Sequence, residues 1–293
     1  MPDQAQMLKE YIDKKRGAEK PGENSKKGPA PRTVCVTSGK GGVGKSNFTV
    51  NFALELAKNG KRVLIIDADF GLSNVDVILG ISPKFDLSHV IAKKKHLYEI
   101  INEGPQGIKF ISGGSGVYDL INLDRNDIDY FFTELGYIEN FVDVIIFDTG
   151  AGINDNNVQI ITASDEVVLV TTTEPPAIVD AYALLKTVIE TKRRPQLRLV
   201  INKAETVKEA KRIIENFVKV TKNYLKTDIE ALGYILEDPN VVKSVKSQKP
   251  FTLLYPETPA SKNMSGIAAK YLTGKTQEDN SGGIRSFFKR FMN

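Results

Sequence analysis

The stretch Thr33-Val34-Cys35-Val36-Thr37-Ser38-Gly39-Lys40-Gly41-Gly42-Val43-Gly44-Lys45-Ser46-Asn47 decides the fold. Residues 33–37 form a short apolar run that reads as a buried strand, and residues 47–57 carry a helical pattern. Between them lies G-K-G-G-V-G-K-S, a G-x-x-x-x-G-K-[ST] phosphate-binding loop in the strand–loop–helix setting the motif requires. Glycine has no Cβ, so consecutive backbone N–H groups can converge on a polyphosphate, and the helix adds the positive end of its dipole. The loop residues from Gly39 to Asn47 are the expected nucleotide contacts. Lys45 is expected to reach the β- and γ-phosphates and Ser46 Oγ to bind Mg²⁺. The early second lysine, Lys40, has no task in this simple scheme.

Further apolar runs recur at 63–66, 108–111, 142–147, 167–170, 197–201 and 229–235. Helical stretches at 45–59, 125–136, 155–163, 177–192 and 206–225 separate most of them. Strands alternating with helices predict an α/β fold, a mostly parallel, doubly wound sheet flanked by helices. Ligands then bind at the carboxyl ends of the strands, where the glycine loop already lies.

Two other strand ends carry acid. In Val63-Leu64-Ile65-Ile66-Asp67-Ala68-Asp69, the carboxylates of Asp67 and Asp69 point the same way if the strand continues. One then lies near metal-bound water and one near an attacking water; an acidic strand end making turn and cap hydrogen bonds is the alternative. The run Val144-Ile145-Ile146-Phe147-Asp148-Thr149-Gly150-Ala151-Gly152 ends an apolar strand in a carboxylate, which suits an acid holding Mg²⁺, often through water. The turn Thr171-Thr172-Thr173-Glu174-Pro175 ends another strand and reads as a switch or dimer-contacting element.

The chain has one cysteine, Cys35, so no disulfide, Cys-x-x-Cys pair or iron–sulfur site can form within one chain, and a reducing compartment is expected. The charged start excludes a secretory signal, and no apolar run approaches the ~20 residues needed to span a bilayer. The net charge of +4 sits in the tails: residues 1–32 carry +3 and residues 275–293 carry +2, leaving −1 for 33–274. A near-neutral core argues against a broad nucleic-acid face. His89 and His96, seven apart with lysines between, suit solvated or packed roles rather than a metal.

The tails carry their own patterns. Residues 3–16 read as a helix capped by Asp3, with Gln6 in the capping-box position and a stripe of Met7, Leu8, Tyr11 and Ile12. Residues 17–32 and 275–283 read as polar linkers around a domain of residues 33–274. At the end, Ile284, Phe287, Phe288, Phe291 and Met292 share one helical face, with Arg285, Lys289 and Arg290 beside it. A helix packed on its own domain or on a partner is one reading, and the linker before it argues against fixed packing. Three cations beside three phenylalanines suit an anionic membrane surface, weakly for one copy and more firmly for two.

Taken together, KGGVGKS, DADFGLSNVD and IIFDTGAG resemble the deviant Walker-A ATPases of the MinD/ParA group over roughly residues 33–272. The resemblance implies ATP and Mg²⁺, and a homodimer in which Lys40 reaches the partner's ATP. It implies that Asp69 positions the hydrolytic water and that Asp67 supports Mg²⁺ and the switch, alongside Ser46 and Asp148. It also implies that Asn202 reads the adenine edge and that Glu237-Asp238-Pro239 lies along the base, with a plain turn asparagine as the alternative for Asn202.

Asp3-Gln4-Ala5-x-x-Leu8-Lys9, the Gly150 variant of the third motif and the terminal helix resemble the FlhG (FleN-type) flagellar number regulators. That branch implies control of flagellar number and placement, and stimulation of the SRP-type GTPase FlhF through Asp3, Gln4, Ala5 and Leu8. It also implies contacts with flagellar switch (C-ring) proteins and a cytoplasmic protein peripheral on the inner face of the cell membrane. No specific nucleic acid is expected. Rival readings are a ParA-type DNA-partitioning ATPase, an iron–sulfur carrier, which the single cysteine opposes, and an adaptor that binds ATP without turnover.

Overall fold

The computed structural model describes residues 30–69, 74–114, 134–136, 138–191, 193–274 and 283–291. The helix expected at 3–16, with Asp3, Gln4, Ala5 and Leu8, lies outside the described residues, as do most of both linkers, Met292, the Phe288 side chain and the greater part of the 125–136 helix.

Eight strands make one sheet among these residues: β1 (Arg32–Ser38), β2 (Val63–Ala68), β3 (Asn102–Glu103), β4 (Lys109–Ile111), β5 (Val144–Ala151), β6 (Glu166–Thr172), β7 (Gln196–Ala204) and β8 (Glu230–Leu236). Their order is β3-β4-β2-β5-β1-β6-β7-β8, parallel throughout except for the short β3–β4 pair. Strand residues alternate between two cores, as the period of two dictates. Val34, Val36, Ile65 and Ile146 face one side; Cys35, Leu64, Ile66 and Ile145 face the other. Both faces are covered, which is why these strands read as continuous apolar runs.

The helices are α1 (Lys45–Lys58), α2 (Val75–Leu79), α3 (Leu87–Ile91), α4 (Asp155–Ala163), α5 (Pro175–Glu190), α6 (Val207–Val220), α7 (Pro239–Lys246), α8 (Phe251–Leu254), α9 (Pro259–Thr273) and α10 (Ile284–Phe291). Helices α1 and α9 cover the first core, where Phe52 packs between Phe48 and the edge of Tyr271. Helices α4, α5, α6 and α10 cover the second. The expected 206–225 helix is regular only to Val220 and ends in a wider turn, Thr221–Leu225.

The C-terminal helix corrects an expectation: it is held against its own domain. Ile284 and Phe287 are each 2% exposed and join the second core. The Phe287 ring stacks on Phe147 of β5 at 4.6 Å, and Phe291 follows at 6.1 Å. Asp165 fastens the helix from beneath. Its carboxylate accepts the Arg290 guanidinium, and also the Thr33 N–H at 3.0 Å and the Thr33 hydroxyl at 2.7 Å. At the other end of the helix, Gly283 (φ 101) lies against Ala30, so the chain entering β1 and the chain entering α10 touch. The entry linker is shorter than expected, because Arg32 already belongs to the sheet.

Candidate nucleotide site

The strand order puts the carboxyl ends of β2, β5, β1, β6 and β7 in one row, and the glycine loop crosses above β1. Gly42 (φ 79) and Gly44 (φ 91) turn the loop through the left-handed region that favours glycine. Gly39 is required for another reason: a Cβ there would overlap the Asp180 carbonyl of α5, so loop and helix interlock at backbone distance. The end of β5 is tied to the loop where Gly152 N–H donates to the Ser38 carbonyl at 2.9 Å.

Lys45 is 7% exposed, and its ammonium donates to Asp148 Oδ1 at 2.9 Å and to Ser46 Oγ at 3.4 Å. Thr49 Oγ1 donates to the same carboxylate oxygen at 2.8 Å. Asp148 Oδ2 is buried with no hydrogen-bond partner. A buried carboxylate oxygen without a partner costs free energy unless a cation or water meets it, so Asp148 with Ser46 Oγ fits a hard, oxygen-seeking divalent ion.

Asp67, fully buried, is in register with Asp148 on the neighbouring strand. Burial and the Asp148 charge push its carboxyl up to about 7. Its oxygens accept the N–H groups of Asp69 at 3.1 Å, Asn74 at 2.9 Å and Val75 at 3.2 Å, so it ties the end of β2 to the start of α2. Asp69 is more open. Burial holds its carboxyl above the usual range, Lys45 opposes this and Asp148 adds to it. Gly150 gives Asp69 its room, since a Cβ there would lie 3.1 Å from Asp69 Oδ1. Asn157 pins the same turn by donating to the carbonyls of Gly150 at 3.0 Å and Gly152 at 3.1 Å.

The Lys40 ammonium is 3.4 Å from Oε2 of Glu174, at the start of α5, and both side chains are exposed. Glu237 and Asp238 stand beside the end of β7, where Glu237 N–H donates to the Ala204 carbonyl at 2.8 Å. Asp238 caps α7 through Asn240 N–H at 2.9 Å, with Pro239 in the first helical turn. Asn202, expected at the base, reaches the loop itself and donates to the Val43 carbonyl at 2.7 Å. Its neighbour Lys203, which sequence reasoning passed over, donates to the Gly42 carbonyl at 2.8 Å. Nothing in an Asn-Lys pair after a strand marks it out. His89 is paired with Asp86 at 2.9 Å and His96 lies 3.6 Å from Glu134; no cluster of three metal-ligating side chains occurs among the described residues.

A family model described as "ParA: NUBPL iron-transfer P-loop NTPase" matches residues 30–272. The chain is 34% identical over 261 residues to the antiactivator FleN of Pseudomonas aeruginosa, covering 89% of this chain and 93% of FleN. It is 37% identical over 265 residues to the flagellum site-determining protein YlxH of Helicobacter pylori, covering 88% and 89%. A chain of the MinC:MinD cell division complex of Aquifex aeolicus matches with a TM-score of 0.69 at 26% identity, covering 83% of this chain and 97% of that one. MinD of Pyrococcus horikoshii, solved with Mg-ADP, shares the fold with a TM-score of 0.69 at 21% identity, covering 85% and 99%. Iron transfer finds no cysteine pair here, since Cys35 is the sole cysteine and is fully buried in β1. Loop, carboxylates, sheet order and relatives agree, and the chain belongs to the ParA/MinD family of P-loop NTPases, which are ATPases.

Proposed function

We propose that this ATPase is a nucleotide-dependent dimer and membrane switch that regulates flagellar number and placement. The observation that carries the dimer is Lys40: its side chain is exposed and its ammonium pairs with the exposed Glu174, a residue outside the loop. An exposed pair of this kind contributes little, about 0–1 kcal/mol. A triphosphate presented by a second copy would outcompete Glu174 for that cation. The lysine then neutralises charge on the γ-phosphoryl group in trans, as an arginine finger does.

Within one copy, Lys45 would leave Asp148 for the β- and γ-phosphates. Ser46 and Asp148 would hold Mg²⁺, which when bound supplies positive charge to the phosphoryl oxygens. Asp69 would orient the attacking water, with Asp67 fixing the turn beside it. Asn202, Glu237, Asp238 and Pro239 would border the adenine. The flagellar role rests on identity to FleN and YlxH along nearly the whole domain. The same reading assigns residues 1–16 to an SRP-type GTPase, FlhF, through Asp3, Gln4, Ala5 and Leu8, and the domain surface to C-ring proteins. It gives Ile284, Phe287, Phe288, Phe291 and Met292 a second surface, anionic lipid, once the helix leaves its seat. The protein then works in the cytoplasm against the inner face of the membrane.

Light scattering tests the dimer. The mass doubles with a non-hydrolysable ATP analogue and stays monomeric with ADP, and Lys40→Ala stays monomeric with both. Equal masses in the two nucleotide states would remove the proposal. In the analogue-bound state the wild type sediments with anionic vesicles and leaves duplex DNA unshifted; the reverse pattern would favour a DNA-partitioning role.

A further inference from the structure

The end of β7 grips the phosphate loop from behind. Asn202 Nδ2 and Lys203 Nζ donate to two consecutive carbonyls, Val43 at 2.7 Å and Gly42 at 2.8 Å. A trans peptide unit is planar, and its C=O and N–H point in opposite directions. Drawing the Gly42 carbonyl toward β7 therefore aims the Val43 N–H away from β7. Drawing the Val43 carbonyl the same way aims the Gly44 N–H likewise. These are two of the amides that a loop of this motif offers to a polyphosphate.

Local backbone geometry is shaped for the task. The pairing of β7 with β8 shifts register between Ile201 and Ala204, so a bulge falls at Asn202-Lys203. Bulges beside functional sites re-aim side chains. Lys203 itself has φ 55, a left-handed conformation that a lysine keeps only when its surroundings over-determine it. At Gly44 a Cβ would overlap the Asn202 amide, so the glycine admits the grip as well as the turn.

We propose that Lys203 is a positioning residue for the polyphosphate: with Asn202 it pre-orients the Val43 and Gly44 N–H groups and places a positive charge behind them. The inference rests on the loop being the nucleotide site and adds a residue to it.

Equilibrium binding of a fluorescent ADP and of AMP to the full chain tests this, with melting of the nucleotide-free protein measured alongside. Lys203→Met weakens ADP binding roughly tenfold, the scale of one charge-assisted hydrogen bond. AMP, which has no β-phosphate, changes by less than about twofold. Lys203→Arg recovers most of the ADP affinity. Lys203→Gly relieves the backbone and melts no lower than wild type, yet loses ADP affinity as Lys203→Met does. Wild-type ADP affinity in both Lys203→Met and Lys203→Gly overturns the proposal, as does an equal loss for ADP and AMP. Failure of the wild type to bind ADP would instead undo the nucleotide site itself.

Discussion

Gly150 sets the space available to Asp69. With the hypothetical Cβ at 3.1 Å from Asp69 Oδ1, alanine forces the carboxylate to give by a few tenths of an ångström. Small misplacements of a group that orients a reactant are expensive. Gly150→Ala is therefore expected to lower the single-turnover hydrolysis rate roughly tenfold, read as phosphate release, while ADP binding stays within about twofold. An unchanged hydrolysis rate would separate Asp69 from the water it is assigned. The acids were legible because each stands at the end of an apolar run, and Lys45 because it completes the glycine-loop motif. Lys203 was not, because its role depends on a bulge and on which way two carbonyls point, and neither leaves a mark in residue type. Asn202 shows the same limit: residue type pointed to a base edge, and geometry hands its amide first to the Val43 carbonyl.

Strands β2 and β5 are joined at their starts by a two-pronged pair. Arg62 donates through Nη2 to Asp143 Oδ1 at 2.6 Å and through Nε to Oδ2 at 3.2 Å, and its Nη1 reaches the Asn140 carbonyl at 2.9 Å. The Arg62 guanidinium holds the Asp143 carboxyl below its ordinary value. A lowered carboxyl stabilises the fold above the unfolded-state value, about 3.9, and that contribution fades as pH falls through the folded value. Arg62→Met should cost about 1 kcal/mol at pH 7, the modest figure allowing for solvent around a partly exposed pair. The gap between the two melting curves should narrow as pH falls below the unfolded-state value, leaving the part due to the Asn140 carbonyl. A gap independent of pH would assign the loss to packing of the arginine stem.

Six of the strands are readable because burial makes them apolar runs; the edge strand β8, where only Leu232 and Ile235 are buried, is readable from its apolar content alone. The edge strand β3 has only two residues, Asn102 and Glu103, and no pattern to read. Helix α9 went unread because small or polar residues fill much of its buried stripe, Ala260, Ser261, Met264, Ile267, Ala268 and Tyr271. They suit close approach to α1 and do not resemble an oily face.

Helix α10 is held by its apolar side, through Ile284 and Phe287. Burying Ile284 and Phe287 contributes about 1.5–3 kcal/mol each. Removing residues 275–293 would bare Phe147 and is expected to lower the melting temperature of the ADP-bound protein by about 2–4 °C, checked by differential scanning fluorimetry. An unchanged melt would mean the helix contributes nothing to the resting fold. Among the described residues no helix is long and apolar enough to cross a membrane.

Asp165 ties Thr33 and Arg290 together, and Ala30 meets Gly283, at the rim of the sheet where strands β1 and β6 begin. The phosphate loop lies at the opposite rim. The sheet therefore has two distinct rims. One carries the phosphate loop, and at the other Ala30, entering β1, lies against Gly283, entering α10. A pull on the chain at Ala30 would therefore be felt first at Gly283 and α10, and only through the length of the sheet at the phosphate loop.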